Sequence, residues 1–145
     1  MRQGQQNYDL LRNRTTTELN ARVDDMALYK VGAYPMMTDG DGTVHGDLIH
    51  LQPFLYNDLL RQLDRAEGFY PEKDIISLYR RELIDVQIDA TGHRVIAWAY
   101  VGQKQLLNSH STHIECGDWV QYRLNTIRQT RYGRFMKNTI KERNF

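Results

Sequence analysis

The sequence predicts an α+β fold in which a tightly curved sheet or barrel is flanked by helices. Three observations predict it. Leu55, Leu59 and Leu63 recur every four residues, which marks one apolar face of a helix. Ile84, Val86 and Ile88 alternate with Asp85, Gln87 and Asp89, the period of a half-buried strand. After the turn Ala90-Thr91-Gly92, the stretch Arg94 to Val101 returns as a hairpin partner. It carries Val95, Ala97, Ala99 and Val101 on one side and Ile96, Trp98 and Tyr100 on the other. Small residues against large ones suit a strongly curved sheet. Two apolar faces predict a strand that is central or covered on both sides.

The remaining elements follow in chain order. Met1 to about Thr17 is polar, and Tyr8, Leu10 and Leu11 form a small apolar patch suited to a short helix. Val23, Met26, Leu28 and Val31 alternate loosely, which predicts a strand from Ala21 with an irregularity near Asp24-Asp25. Gly32-Ala33-Tyr34-Pro35 ends it, and Asp39-Gly40-Asp41-Gly42 reads as a turn. Thr43 to Leu51 is the next strand, with Val44, Gly46 and Leu48 on one face and His45, Asp47 and Ile49 on the other. Pro53 suits the first turn of the leucine helix. Tyr70 to Ser77 reads as loop, Leu106 to Glu115 is ambiguous, and Val120 to Ile127 suits a short helix after Gly117-Asp118-Trp119. Arg128, Arg131, Arg134, Lys137, Lys141 and Arg143 recur at spacings that put basic groups on one side of a helix. Residues 1–127 therefore read as the domain, and 128–145 as a basic helix or tail docked on it.

Composition narrows the function. A chain of 145 residues can bury a substantial single core. A formal net charge of +1 supplies no global field for nucleic acid or membrane. The lone Cys116 excludes an internal disulfide framework and fits a reducing compartment. No apolar run is long enough to span a bilayer, and Met1 to Gln6 has no apolar signal core, so a cytoplasmic location is expected.

Glu67 is the position with most chemical content. It extends the leucine stripe by four residues, and Gly68 follows as a helix C-terminal cap. A carboxylate there faces the core or a cavity beside it, at the negative end of the helix dipole. Burial and dipole both disfavour its anion and raise its pKa. Such an acid can serve as general base and then general acid. The plain alternative is an exposed helix-end glutamate.

Other signals are weaker. His110, His113 and Cys116 are spaced three apart, but no fourth zinc ligand lies nearby. Asp39-Gly40-Asp41-Gly42 lacks the later acid of a calcium loop. Neither pattern predicts a metal site. The basic stretch could contact phosphates, with Tyr132 and Phe135 stacking on bases. A solvated helix docked by its apolar side is the favoured reading, so nucleic acid is not an expected partner.

Taken together, the chain resembles the gamma-glutamylcyclotransferase-like family. Gly32-Ala33-Tyr34-Pro35 resembles its Gly-x-Tyr-Pro turn, and Gly46-Asp47-Leu48 its Gly-Glu-Leu strand. Leu63-Asp64-Arg65-Ala66-Glu67-Gly68 resembles its Leu-Asp-x-x-Glu-Gly segment, and Tyr79-Arg80-Arg81 its Tyr-x-Arg element. Trp98-Ala99-Tyr100 and Gly117-Asp118-Trp119 resemble its aromatic strand and its closing motif. The resemblance implies a small mixed β-barrel with flanking helices and aligns Glu67 with the family's catalytic glutamate. It implies a transferase or lyase reaction on a small gamma-glutamyl amine. In the implied reaction the substrate's α-amine attacks its own γ-carbonyl and releases 5-oxoproline, which needs neither metal nor organic cofactor. Tyr100 and Tyr79 are the candidates for shaping the pocket or binding substrate. A non-catalytic small-molecule or protein-binding barrel is the alternative.

One motif departs. The family begins with a strand ending in Tyr-Gly-(Thr/Ser)-Leu, whose backbone amides hold the glutamyl carboxylate or the oxyanion. Met1 aligns with that Leu, so Met1 and Arg2 stand at the end of the loop as substrate-binding positions, and the preceding strand is missing from this sequence. The expectation is a gap with exposed sheet edges, reduced stability, self-association through such an edge and weak activity.

Overall fold

The computed structural model describes residues 8–73 and 77–143, with side chains described as far as Tyr132. A 3-10 turn, Tyr8–Leu10, leads into two long strands, β1 (Thr15–Val31) and β2 (Tyr34–Leu51). A second 3-10 turn, Pro53–Leu55, runs into helix α1 (Tyr56–Ala66). The hairpin β3 (Tyr79–Ile88) and β4 (Arg94–Gly102) follows, then the short strand β5 (Thr112–His113) and helix α2 (Trp119–Arg143). The sheet order is β2-β1-β3-β4, with β5 joined to β1.

The α+β class and the curved sheet are as the sequence predicts. Pairing among the described residues is antiparallel throughout, and the path β2-β1-β3-β4 does not close on itself. Curvature still brings distant strands together, because the Tyr79 hydroxyl of β3 donates to Pro35 O of β2 at 3.4 Å. One face of the sheet holds the core: Met26, Leu28, Val44, Val101 and Ile114 form one cluster, and Ala21, Leu48 and Val86 another. The alternation of β3 works as expected, since Ile84 and Val86 face this core.

Three local expectations need correction. Asp39-Gly40-Asp41-Gly42 does not reverse the chain. It is a bulge within β2, where Met26 pairs with both Asp39 and Gly42. Gly40 serves close approach there, because a Cβ would lie 2.5 Å from Ala27 Cβ. The reversal comes earlier, at Gly32-Ala33, between the paired residues Val31 and Tyr34. Asp25, with φ 57°, marks the irregularity foreseen in β1. Second, β4 is not covered on both sides. It ends the sheet order, and Ile96 and Trp98 are exposed because α1 covers only the Tyr100 end. Third, Pro53 opens the 3-10 turn, and the α-helix starts three residues later at Tyr56.

Helix α2 runs without a break across position 127. Asp118 caps it, since its Oδ1 accepts from the backbone N–H of Val120 at 2.8 Å and of Gln121 at 3.1 Å. Trp119 and Tyr122 anchor its first turn on the core, whereas residues 123–132 are exposed. The docking expected of 128–145 falls largely on side chains outside the described residues. Among the described residues no helix is long and apolar enough to cross a membrane.

Candidate active site

The site is built on the C-terminal end of α1. Leu59 and Leu63 are buried with Leu11, and Ile49, Leu51 and Tyr100 pack around them. Leu59 and Leu63 thus seat α1 on Ile49 and Leu51 of β2 and Tyr100 of β4, residues that alternate with the core residues Leu48 and Val101. Phe69 N–H donates to Asp64 O at 2.8 Å and Gly68 N–H to Arg65 O at 3.2 Å, the paired bonds that close a helix through a left-handed residue. Gly68 is that residue, with φ 65°. Glu67 therefore stands at the C-cap, with its N–H donated to Leu63 O at 2.9 Å.

Glu67 is half-buried, and burial raises its carboxyl above the ordinary range. Two tyrosines share its surroundings. Burial and then the Glu67 charge push the Tyr79 phenol up to about 12. The Tyr100 phenol is raised further, first by burial, then by its hydrogen bond to Asp64, with Glu67 among the smaller causes. At neutral pH both phenols keep their protons. The structure thus brings Glu67, Tyr79 and Tyr100 into one electrostatic neighbourhood. Met1 and Arg2 lie outside the described residues.

Behind Tyr100 stands a pair that sequence reasoning did not single out. Asp64 is 7% exposed. Arg81 Nη1 donates to its Oδ1 at 2.9 Å and its Oδ2 at 2.8 Å, and the Tyr100 hydroxyl donates to Oδ1 at 2.7 Å. Arg81 and Tyr100 are cross-strand partners, so their side chains leave the same face together. The Arg81 guanidinium also lies 4.8 Å from the Trp98 ring centroid and 5.5 Å from that of Phe69. A signal was present: Asp64 precedes Glu67 by three residues, which puts both on one side of a helix.

A groove of about 380 Å³ runs beside this pair, lined by Asn57, Leu60, Arg61, Asp64, Pro71 and Arg81. Glu67, Tyr79 and Tyr100 do not line it, so it joins the site only through the ion pair. The weaker candidates stay apart from it. His113 packs its ring 5.0 Å from that of Tyr29, Cys116 is exposed, and no three metal-ligating side chains gather among the described residues.

Residues 1–121 match the family described as gamma-glutamyl cyclotransferase, AIG2-like. A putative gamma-glutamylcyclotransferase of Vibrio cholerae is 30% identical over 124 residues, covering 83% of this chain and 90% of its own. The gamma-glutamylcyclotransferase family protein YtfP of Escherichia coli K12 is 32% identical over 98 residues, 68% of this chain and 71% of its own. The solution structure of E. coli ytfP superposes with a TM-score of 0.52 at 27% identity, over 84% of this chain and 89% of that one. An uncharacterized protein of Pyrococcus horikoshii shares the fold, with a TM-score of 0.54 at 16% identity, over 88% and 89% of the two chains. The sheet with its flanking helices, and a match spanning α1 and its terminal glutamate, lead to one assignment: this chain belongs to the AIG2-like gamma-glutamyl cyclotransferase family.

Proposed function

We propose that this protein is a gamma-glutamyl cyclotransferase in which Glu67 relays protons during ring closure. The observation that carries the reading is a half-buried acid of raised pKa at the rigid end of α1, beside two protonated tyrosines. The substrate is a small gamma-glutamyl amine. Its α-ammonium group gives a proton to Glu67, and the freed amine attacks the γ-carbonyl. The new C–N bond closes a five-membered ring, and the amide bond to the leaving amine breaks. Two protons pass from the α-nitrogen to the departing nitrogen, which leaves as an ammonium ion, and Glu67 returns to its starting state. Attack within one molecule requires chiefly that the substrate be held folded. Tyr79 and Tyr100 serve that holding role.

The test is 5-oxoproline release from a panel of gamma-glutamyl amines, amino acids and lysine isopeptides, by this chain and by Glu67→Gln. Release that falls by about 10²–10⁴-fold in the glutamine variant is the expected result. Equal release by both forms would remove Glu67 from the mechanism. No release from any member of the panel, with binding retained, would favour a non-catalytic binding domain.

A further inference from the structure

The two tyrosines at the site differ in what their hydroxyls can still offer. A phenol has one hydrogen to donate and lone pairs that accept. Tyr79 donates to Pro35 O across 3.4 Å, a long bond that a better-placed acceptor can replace. Tyr100 donates at 2.7 Å to Asp64 Oδ1, a short bond to a carboxylate. Asp64 cannot swing away, because Arg81 Nη1 holds both of its oxygens. Arg81 cannot easily move either, since Trp98 and Phe69 flank its guanidinium and its own strand pairs it with Tyr100. The guanidinium has donors only, so it offers the phenol no competing acceptor.

We propose that Asp64 and Arg81 are positioning residues that commit the Tyr100 proton, so that Tyr100 meets the substrate only as a hydrogen-bond acceptor for its α-ammonium group. This rests on the cyclotransferase reading and gives Tyr100 one polarity within it. Tyr100 accepts from the N–H groups of the attacking nitrogen while Glu67 takes one of its protons. It turns the nitrogen toward the γ-carbonyl and discriminates against gamma-glutamyl compounds whose α-amine is acylated. Tyr79, whose hydrogen is held only by its long bond to Pro35 O, suits the opposite end, where the carbonyl oxygen gains charge.

Two measurements test this. In the first, protein labelled at tyrosine Cζ carries Glu67→Gln, so that ligand survives, and Tyr100→Phe identifies the Tyr100 signal. A gamma-glutamyl amine with a free α-amine is expected to move that signal, and its N-acetylated counterpart to leave it in place. Equal movement by both ligands, or by neither, overturns the proposal. In the second, Tyr100→Phe and Asp64→Asn in otherwise native protein are each expected to lower kcat/KM about tenfold, the loss of roughly one charge-assisted hydrogen bond. The double variant should fall no further, because both changes remove the same contact. A purely structural Asp64 would instead give losses that multiply, and that result also overturns the proposal. Failure of the cyclotransferase reading looks different: no dependence of 5-oxoproline release on Glu67.

Discussion

Removing Asp64 alone should be among the most damaging changes in α1. Its side chain is 10% exposed and that of its partner Arg81 is 19% exposed, so solvent screens the pair little. Asp64→Ala leaves the guanidinium buried with neither of its two bonds to Asp64, and Arg81 Nε already lacks a partner. Breaking a buried pair from one side costs about 3–5 kcal/mol. Partial exposure of Arg81 argues for the lower end, and the stranded Tyr100 hydroxyl adds to it, so the expected loss is about 3–4 kcal/mol. In a chain of 145 residues this corresponds to a fall in Tm on the order of 10 °C. The assay is urea unfolding at neutral pH of Asp64→Ala, Arg81→Met and the double variant. The double variant should recover most of the loss, because methionine can pack between Trp98 and Phe69 and no charge remains buried. A loss under about 1 kcal/mol for Asp64→Ala, or a double variant as weak as the two single losses combined, would refute the reasoning.

Glu67 makes a linked prediction about pH. Its folded pKa is raised by burial, so activity that needs its anion should fall on acidification at a pH above its ordinary 4.5, and a pH–rate profile reads this directly. The sign for stability is opposite: the favourable contribution of the protonated group is complete below 4.5 and is lost as pH rises through the folded value. Glu67→Gln should therefore raise the urea midpoint at pH 8 relative to its effect at pH 4, and equal effects at both would contradict the burial. Gly117→Ala should cost about 3 kcal/mol or more, because φ there is 63° and a Cβ would lie 2.0 Å from the backbone oxygen of Thr43, which cannot yield as a side chain would. Thermal unfolding checks it, and a fall of only a degree or two would mean that the backbone relaxes freely. Leu59→Ala, at a side chain 1% exposed beneath α1, should cost about 3 kcal/mol in urea unfolding, and a loss under about 1 kcal/mol would show that α1 is not anchored by its leucine stripe.

The parts legible in the sequence were those set by local periodicity. The leucine stripe, its continuation into Glu67, the Gly68 cap and the β3–β4 hairpin depend on residues within a few positions of one another. Motifs in order along the chain did the rest, and the family match agrees with them. Asp39-Gly40-Asp41-Gly42 was misread because its glycines serve contact with Ala27 across the pair, and no local rule separates that need from a turn. The two apolar faces of β4 were read as two coverings, yet how far α1 reaches along the strand is decided by where Leu59, Leu63 and Tyr100 meet.

The sequence by itself determined that a carboxylate ends an apolar helix face, and so that one acid would be driven toward its protonated form. The partners of Asp64 were decided only by tertiary structure. Asp64 meets Arg81 and Tyr100 across 17 and 36 positions of chain, on a helix and two strands. Hydrogen bonds are short-ranged and directional. Which tyrosine donates to a carboxylate therefore depends on how the curved sheet seats α1 against β3 and β4, and spacing along the chain holds no record of that.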